Sequence, residues 1–267
     1  MIERNDNMLV FMQQIGLLHL HSHSTTDLVG IILAGGTGSR LHPCTTVTNK
    51  HLLPIGEMPM IFYPIQKLVS AGIEDILIVT GTEHMGDFIE LLGSGHEFDC
   101  ALTYRVQDEA GGIAQALALA ERFASPQPMC VMLGDNIFEN SISPMIEQFQ
   151  THPNDAHILL KEVPDAERFG VAEMDGTKVI NIIEKPEQPL SNFAVTGVYC
   201  YPPDVFDIIR TLTPSERGEL EITDVNNAYL AQGRLHASML DGYWSDAGTF
   251  PSLARANELV RQSPPKE

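Results

Sequence analysis

Apolar residues along the chain fall into short runs separated by turn residues. Residues 28–33 form a continuous apolar run of strand length, and Ala34-Gly-Gly-Thr-Gly-Ser behind it is a turn that no helix tolerates. Residues 59–71 carry Ile61, Ile65, Leu68 and Val69 at helical spacing with Gly72 as a stop, and 76–79 follow as a buried strand. The alternation continues with a predicted helix over 85–92, a strand over 102–106, a helix over 113–123 and a strand over 129–133. Strands joined through helices argue for an α/β fold whose sheet is mostly parallel and covered by helices on both faces.

Past Leu133 the pattern becomes mixed. Ser143 and Pro144 open a helix as its cap and first residue, and strand-like runs follow at 157–160, 170–174, 179–183 and 194–201. Further helices are expected over 203–212, over 225–231 behind a Thr223-Asp224 cap, and over 250–260. Residues 1–27 show no structural period and read as an N-terminal appendage, in which His19, His21 and His23 are incidental rather than a metal-binding tail. The folded unit is expected over 28–262, divided near residue 140.

Charge narrows the possible partners. The 267 residues include 16 basic and 35 acidic side chains, a formal net charge of −19, which repels nucleic acid and anionic lipid heads alike. Cys44, Cys100, Cys130 and Cys200 are widely spaced, so neither a zinc site nor a disulfide framework is expected, and a reducing cytoplasm fits best. Residues 8–18 are apolar but short and follow Glu3, Arg4 and Asp6, so neither a signal peptide nor a membrane span is expected.

Against this acidic background, residues 28–56 contain Arg40 and Lys50 and no acid, a window of +2 in a chain whose remainder carries −21. Gly35, Gly36 and Gly38 allow the backbone N–H groups of the turn to converge on an anion. The turn is neither a Walker A loop nor a dinucleotide fingerprint. Glycines alone would fit a plain turn as well as a phosphate site; the acid-free window favours the phosphate site.

Leu33-Ala-Gly-Gly-Thr-Gly-Ser-Arg-Leu-His-Pro followed by Asn49-Lys-His-Leu-Leu-Pro resembles the signature of the sugar-phosphate nucleotidyltransferases. The resemblance extends from about Val29 to Val260, through Pro59-Met-Ile-Phe-Tyr-Pro, Val106-Gln107, Leu133-Gly-Asp-Asn, Glu184-Lys-Pro, Ala194-Val-Thr-Gly, Arg217-Gly-Glu-Leu-Glu-Ile-Thr-Asp and Asp246-Ala-Gly-Thr. It implies a Rossmann-like domain with a nucleotide-binding part over about 28–140 and a sugar-binding part over about 141–262. The implied reaction transfers the nucleotidyl group of a pyrimidine nucleoside triphosphate, dTTP ahead of UTP, to glucose 1-phosphate with release of pyrophosphate, with Mg2+ as cofactor and a homo-oligomer as the assembly; the alternative is a non-catalytic sugar-nucleotide-binding regulatory protein on the same scaffold.

Site residues follow from the same resemblance. Leu33, Gly35, Gly36, Gly38, Ser39, Gln107 and Gly112 match nucleotide-binding positions, Gly170, Glu184 and Val195 match sugar-binding positions, and Arg40, Lys50 and Lys185 match the cations on the two phosphates. Asp135 and Asp246 match the metal ligands, although an aspartate after a strand is, on residue chemistry alone, more often a turn or cap residue. Residue chemistry alone also reads Lys185 as a solvated lysine, Trp244 as core and 217–224 as structural. Three departures stand out: Met58 where the family carries lysine, Trp-Ser-Asp-Ala-Gly-Thr in place of Trp-Leu-Asp-Thr-Gly-Thr, and the expected lack of a C-terminal helical extension.

Overall fold

In the computed structural model, which describes residues 27–266, the first apolar run is strand β1 (Val29–Ala34) and all six of its residues are buried. Two short strands, β2 (Pro54–Ile55) and β3 (Met58–Pro59), form a hairpin ahead of helix α1 (Phe62–Ser70). Gly72 adopts φ +79°, and Ile73 N–H closes back on Leu68 O, so the expected glycine stop ends α1. There follow β4 (Asp75–Gly81), α2 (Met85–Leu92), β5 (Ala101–Gln107), α3 (Ile113–Ala118), α4 (Glu121–Ala124), β6 (Met129–Leu133) and β7 (Asn136–Phe138). The second half contains α5 (Ser143–Thr151), β8 (Ala156–Glu162), β9 (Gly170–Asp175), β10 (Lys178–Glu184), β11 (Phe193–Tyr201), α6 (Val205–Ile209), α7 (Ile222–Ala231), β12 (Leu235–Met239), β13 (Trp244–Asp246) and α8 (Phe250–Gln262).

The main sheet runs β10-β9-β11-β6-β1-β4-β5, with β8 paired to β11 and β12 paired to β8. β6, β1, β4 and β5 are parallel, as expected of strands connected through helices, whereas β11 joins β6 antiparallel and carries β8 and β9 antiparallel in turn. Successive residues of β1 and β4 face opposite sides. Ile32, Ile76 and Ile78 enter one apolar layer with α1 and α2, while Val29, Ile31, Leu77 and Val79 enter another with α3, α6 and α7. Burial on both faces explains why these strands read as continuous rather than alternating apolar runs.

Several boundaries differ from expectation. The helix expected over 113–123 is two helices, because Leu119 and Ala120 N–H bond to carbonyls three residues back and tighten the chain. The helix expected from Val225 already begins at Ile222, and the Thr223 hydroxyl bonds Glu184 instead of capping it. β12 and the β7–β13 pair are additional strands; β12 is half-buried and polar in part, and it is a strand because it pairs with β8. The 1–27 appendage lies outside the described residues apart from Asp27. Among the described residues, no helix is long and apolar enough to cross a membrane, and the four cysteines are free.

Candidate active site

One cleft of about 350 Å³ opens across the carboxyl ends of the parallel strands and brings both halves of the chain onto one wall. Leu33, Gly35, Gly36, Arg40, Lys50, Gln107, Gly112, Asp135, Gly170, Glu184, Lys185, Val195 and Asp246 all line it. Gly38 and Ser39 do not. Gly38, at φ +62°, instead closes the loop on itself: its carbonyl accepts from Leu41 N–H at 2.9 Å and from the Thr45 hydroxyl at 2.8 Å.

Gly35 and Gly112 are glycines for steric reasons that bear on the cleft. A Cβ on Gly35 would lie 2.3 Å from Gln107 Oε1, whose amide nitrogen donates to Gln115 Oε1 at 2.6 Å. Gly112, at φ +101°, lies against the 215–222 segment, and a Cβ there would fall 2.4 Å from Leu220 O. Leu220 N–H donates to Gly111 O and Ala114 N–H donates to Leu220 O, so this segment is tied to the start of α3.

The two aspartates are far apart in sequence and are joined by a separate two-stranded sheet. β13 pairs antiparallel with β7, which sets Asp246 opposite Asn136, and Ala247 N–H donates to Asp135 O at 2.8 Å. Both Oδ2 atoms lie 3.4 Å from the point a Cβ on Gly248 would occupy, with Arg40 Nη2 3.1 Å from the same point. Thr249 caps α8 in a reciprocal box with Ser252, and the Ser252 hydroxyl also reaches Asp246 Oδ2 at 3.1 Å. A helix start thereby fixes one carboxylate.

Each carboxylate faces a cation of the chain. Lys50 Nζ lies 2.6 Å from Asp135 Oδ2, and Arg168 Nη2 lies 2.9 Å from both oxygens of Asp246. Burial acts to raise the pKa of Asp135, but the Lys50 ammonium opposes it and holds the carboxyl well below the ordinary carboxylate range. Beside this pair, His51 is pushed down to about 3 by burial and then by Lys50, so it is neutral. Its Nδ1 lies 2.7 Å from Asn49 Oδ1, which places the proton on Nδ1.

At the other end of the cleft, Gly170 stands opposite Glu184 across the β9–β10 ladder. A Cβ on Gly170 would approach Thr223 Oγ1 at 3.1 Å and Glu184 Oε2 at 3.4 Å, the two atoms that bond each other at 2.6 Å. Lys185 is held at φ +42° by its N–H to Phe169 O, and its ammonium lies 3.1 Å from Glu184 Oε1. Left-handed backbone at a lysine is a strained conformation that concentrates at ligand sites.

Sequence reasoning missed several wall residues: His51, Asn136, Arg168, Thr223 and Arg217, together with Trp244, read as core. Asn136 is 3% exposed and organises the aspartate region, donating to Asp135 Oδ1 at 3.0 Å and accepting from Gly197 N–H at 3.0 Å and Trp244 Nε1 at 2.6 Å. Its position directly after Asp135 was the available signal. Segment 217–224 is on the cleft as well as structural, since Arg217 and Thr223 both reach Glu184.

Among the described residues no group of three or more His, Cys, Asp or Glu side chains converges as a cation cage. Two carboxylates are nonetheless a fitting donor set for magnesium, which keeps waters and takes its remaining ligands from bound phosphates. A glycine-lined cleft with paired carboxylates, several cations and a polar far end belongs to a protein that handles phosphate esters. Residues 29–263 match the family described as nucleotidyl transferase, and the chain belongs to that family.

Its similar proteins are more specific. The chain is 44% identical to a glucose-1-phosphate thymidylyltransferase of Xanthomonas campestris pv. campestris over 88% of this chain and 81% of that one. It is 42% identical to the Neisseria meningitidis protein of the same name, over 87% and 82%. A Bacillus anthracis crystal structure, of a protein in complex with a sucrose, is 56% identical, with TM-score 0.85 and coverage of 88% and 95%. A UDP-glucose pyrophosphorylase, 24% identical at TM-score 0.79 over 88% and 98%, shares the fold.

Proposed function

We propose that the chain transfers the nucleotidyl group of a pyrimidine nucleoside triphosphate, dTTP ahead of UTP, to glucose 1-phosphate, releasing pyrophosphate. The observation that carries this reading is the meeting of Asp135 and Asp246 beside Gly248, in a cleft shared by the glycine loop and the Glu184-Lys185 wall. The thymidylyltransferase relatives support the choice of base and sugar. Residues 28–140 form the nucleotide side and 141–262 the sugar side, and a homo-oligomer, read by light scattering, completes the proposal.

Leu33, Gly35, Gly36, Gln107 and Gly112 bind the nucleotide, with Gly38 and Ser39 shaping the loop, while Arg40 and Lys50 hold the triphosphate. Lys185 holds the sugar phosphate, and Gly170, Glu184 and Val195 receive the sugar hydroxyls. A phosphate oxygen of the sugar substrate attacks the α-phosphorus, and the bond to the bridging oxygen breaks with its electron pair leaving on pyrophosphate. No side chain acts as nucleophile; the residues hold two anions together and in line. Magnesium on Asp135 and Asp246, when bound, neutralises charge on the phosphate oxygens.

Pyrophosphate release measured across dTTP, UTP, CTP, ATP and GTP with glucose 1-phosphate tests the reading. Turnover is expected with dTTP first and UTP second, and only with a divalent cation. No release from any pair refutes it.

A further inference from the structure

Arg168 has no part in the proposed reaction so far, yet it grips the aspartate on which that reaction depends. It ends the 3-10 turn Ala166–Arg168. Its Nη2 donates to both oxygens of Asp246 at 2.9 Å, and its Nη1 donates to Asp165 Oδ2 at 2.8 Å. Asp246 Oδ2 also receives Gly248 N–H at 3.2 Å and the Ser252 hydroxyl at 3.1 Å, and Arg255 Nη2 lies 3.7 Å from Oδ1. Donors of the chain therefore already surround this carboxylate, much as Lys50 covers Asp135.

The charges gathered here do not invite a lone dication. Arg40, Lys50, Arg168 and Arg255 face Asp135, Asp165 and Asp246, which leaves one positive charge in excess. A divalent ion reaching Asp246 alone competes with a guanidinium for the same oxygens, whereas phosphate groups arriving with it bring the negative charge that a displaced guanidinium can accept. Arg168 is placed for that exchange: it lines the cleft, its neighbour Phe169 accepts the N–H of Lys185, and its guanidinium lies 4.9 Å from the Phe169 ring centre.

We infer that Arg168 is an exchangeable counter-ion, which leaves Asp246 for a phosphate oxygen of the substrates when a divalent cation takes its place on the carboxylate. This rests on Asp246 being a metal ligand, as proposed above, and adds a phosphate-binding residue that no motif in the chain assigned. A rigid strut for Asp246 would behave in the opposite way: removing it would loosen the carboxylate and weaken metal binding.

The test is Mn2+ binding to the full chain without nucleotide, read from the EPR signal of free Mn2+, for wild type, R168M and R168K. R168M is expected to bind Mn2+ about tenfold tighter than wild type, which corresponds to about 1.4 kcal/mol of lost competition. R168K keeps the charge without the fork and is expected to fall between the two. In the turnover assay at saturating Mg2+, the KM for glucose 1-phosphate is expected to rise about tenfold in R168M. Tighter metal with weaker phosphate is a combination that a strut does not produce.

Mn2+ binding by both variants equal to or weaker than wild type overturns the inference, as does an absence of Mn2+ binding in all three proteins. If R168M does not fold by circular dichroism, R168K decides alone. Failure of wild type to turn over any substrate pair refutes the proposed reaction instead, and the Mn2+ comparison still reads Arg168.

Discussion

Acidification from pH 7.5 to 5 is expected to destabilise the fold through two buried histidines. His51, 1% exposed beside the glycine loop, is pushed down to about 3 by burial and then by Lys50. His157 in β8, 4% exposed and with its Nε2 2.7 Å from Ser238 Oγ, is pushed down to about 4 by burial and then by His236 and His152. Unfolding returns both to about 6.5. Their folded values lie below the unfolded ones, so the unfolded chain binds more protons below pH 6.5 and stability falls as pH drops from there towards 4 and 3. Because both folded values lie below pH 5, the loss at pH 5 is set by the ~1.5 units between that pH and the unfolded value, which amounts to ~2 kcal/mol apiece and ~4 kcal/mol together.

That loss is large beside the 5–15 kcal/mol (roughly) that holds a typical domain. The window is well separated from the carboxylates, because Asp135 and Glu139 have folded pKa values lowered from the usual range and their contributions are lost only as pH falls below about 4. Urea unfolding midpoints at pH 7.5, 6 and 5 measure the slope. His157→Gln, outside the cleft, is expected to abolish ~2 kcal/mol of the acid loss while changing stability at pH 7.5 by at most ~1 kcal/mol. A free energy that stays flat between pH 7.5 and 5, or an unaltered slope in the variant, refutes the reasoning.

Three further outcomes follow from the site. Gly112→Ala places a Cβ 2.4 Å from Leu220 O at φ +101°, and is expected to lower stability by about 2–3 kcal/mol in thermal melts and to raise the KM for nucleotide. Asn136→Ala strands the Gly197 and Trp244 N–H groups, so a loss of about 2–4 kcal/mol in urea unfolding is expected; a loss under 1 kcal/mol contradicts the network. Lys50→Met leaves burial to act on Asp135 without its ammonium, so turnover is expected to fall about 100-fold or more in the pyrophosphate assay, while activity within threefold of wild type excludes Lys50 from the triphosphate site.

The parallel core was legible because β1, β4 and β6 are buried on both faces and must be apolar throughout, with glycine stops such as Gly72 between them. The glycine loop was legible through its local excess of cations. Weaker elements were not. β12 carries His236 and Ser238 and is a strand because β8 offers it a ladder, and β7 with β13 pairs only three residues on each side. Arg168 and Thr223 were not legible as site residues, because an arginine in a short turn or a threonine at a helix start has many ordinary uses, and Asn136 was marked only by its place directly after Asp135. Their partners are 108 positions away for Asn136 with Trp244, 78 for Arg168 with Asp246 and 39 for Thr223 with Glu184.

From sequence alone, the chain could be identified as a mostly parallel α/β scaffold with a glycine-rich, acid-free loop after its first strand, because local periodicity, glycine and charge are properties of neighbouring residues. Tertiary structure decided what those parts surround. Pairing of β7 with β13 sets the two aspartates together, the 215–222 segment closes on Gly112, and Arg168 comes to rest on Asp246. Such contacts depend on which distant surfaces are buried against each other, and no local pattern in the chain encodes that choice.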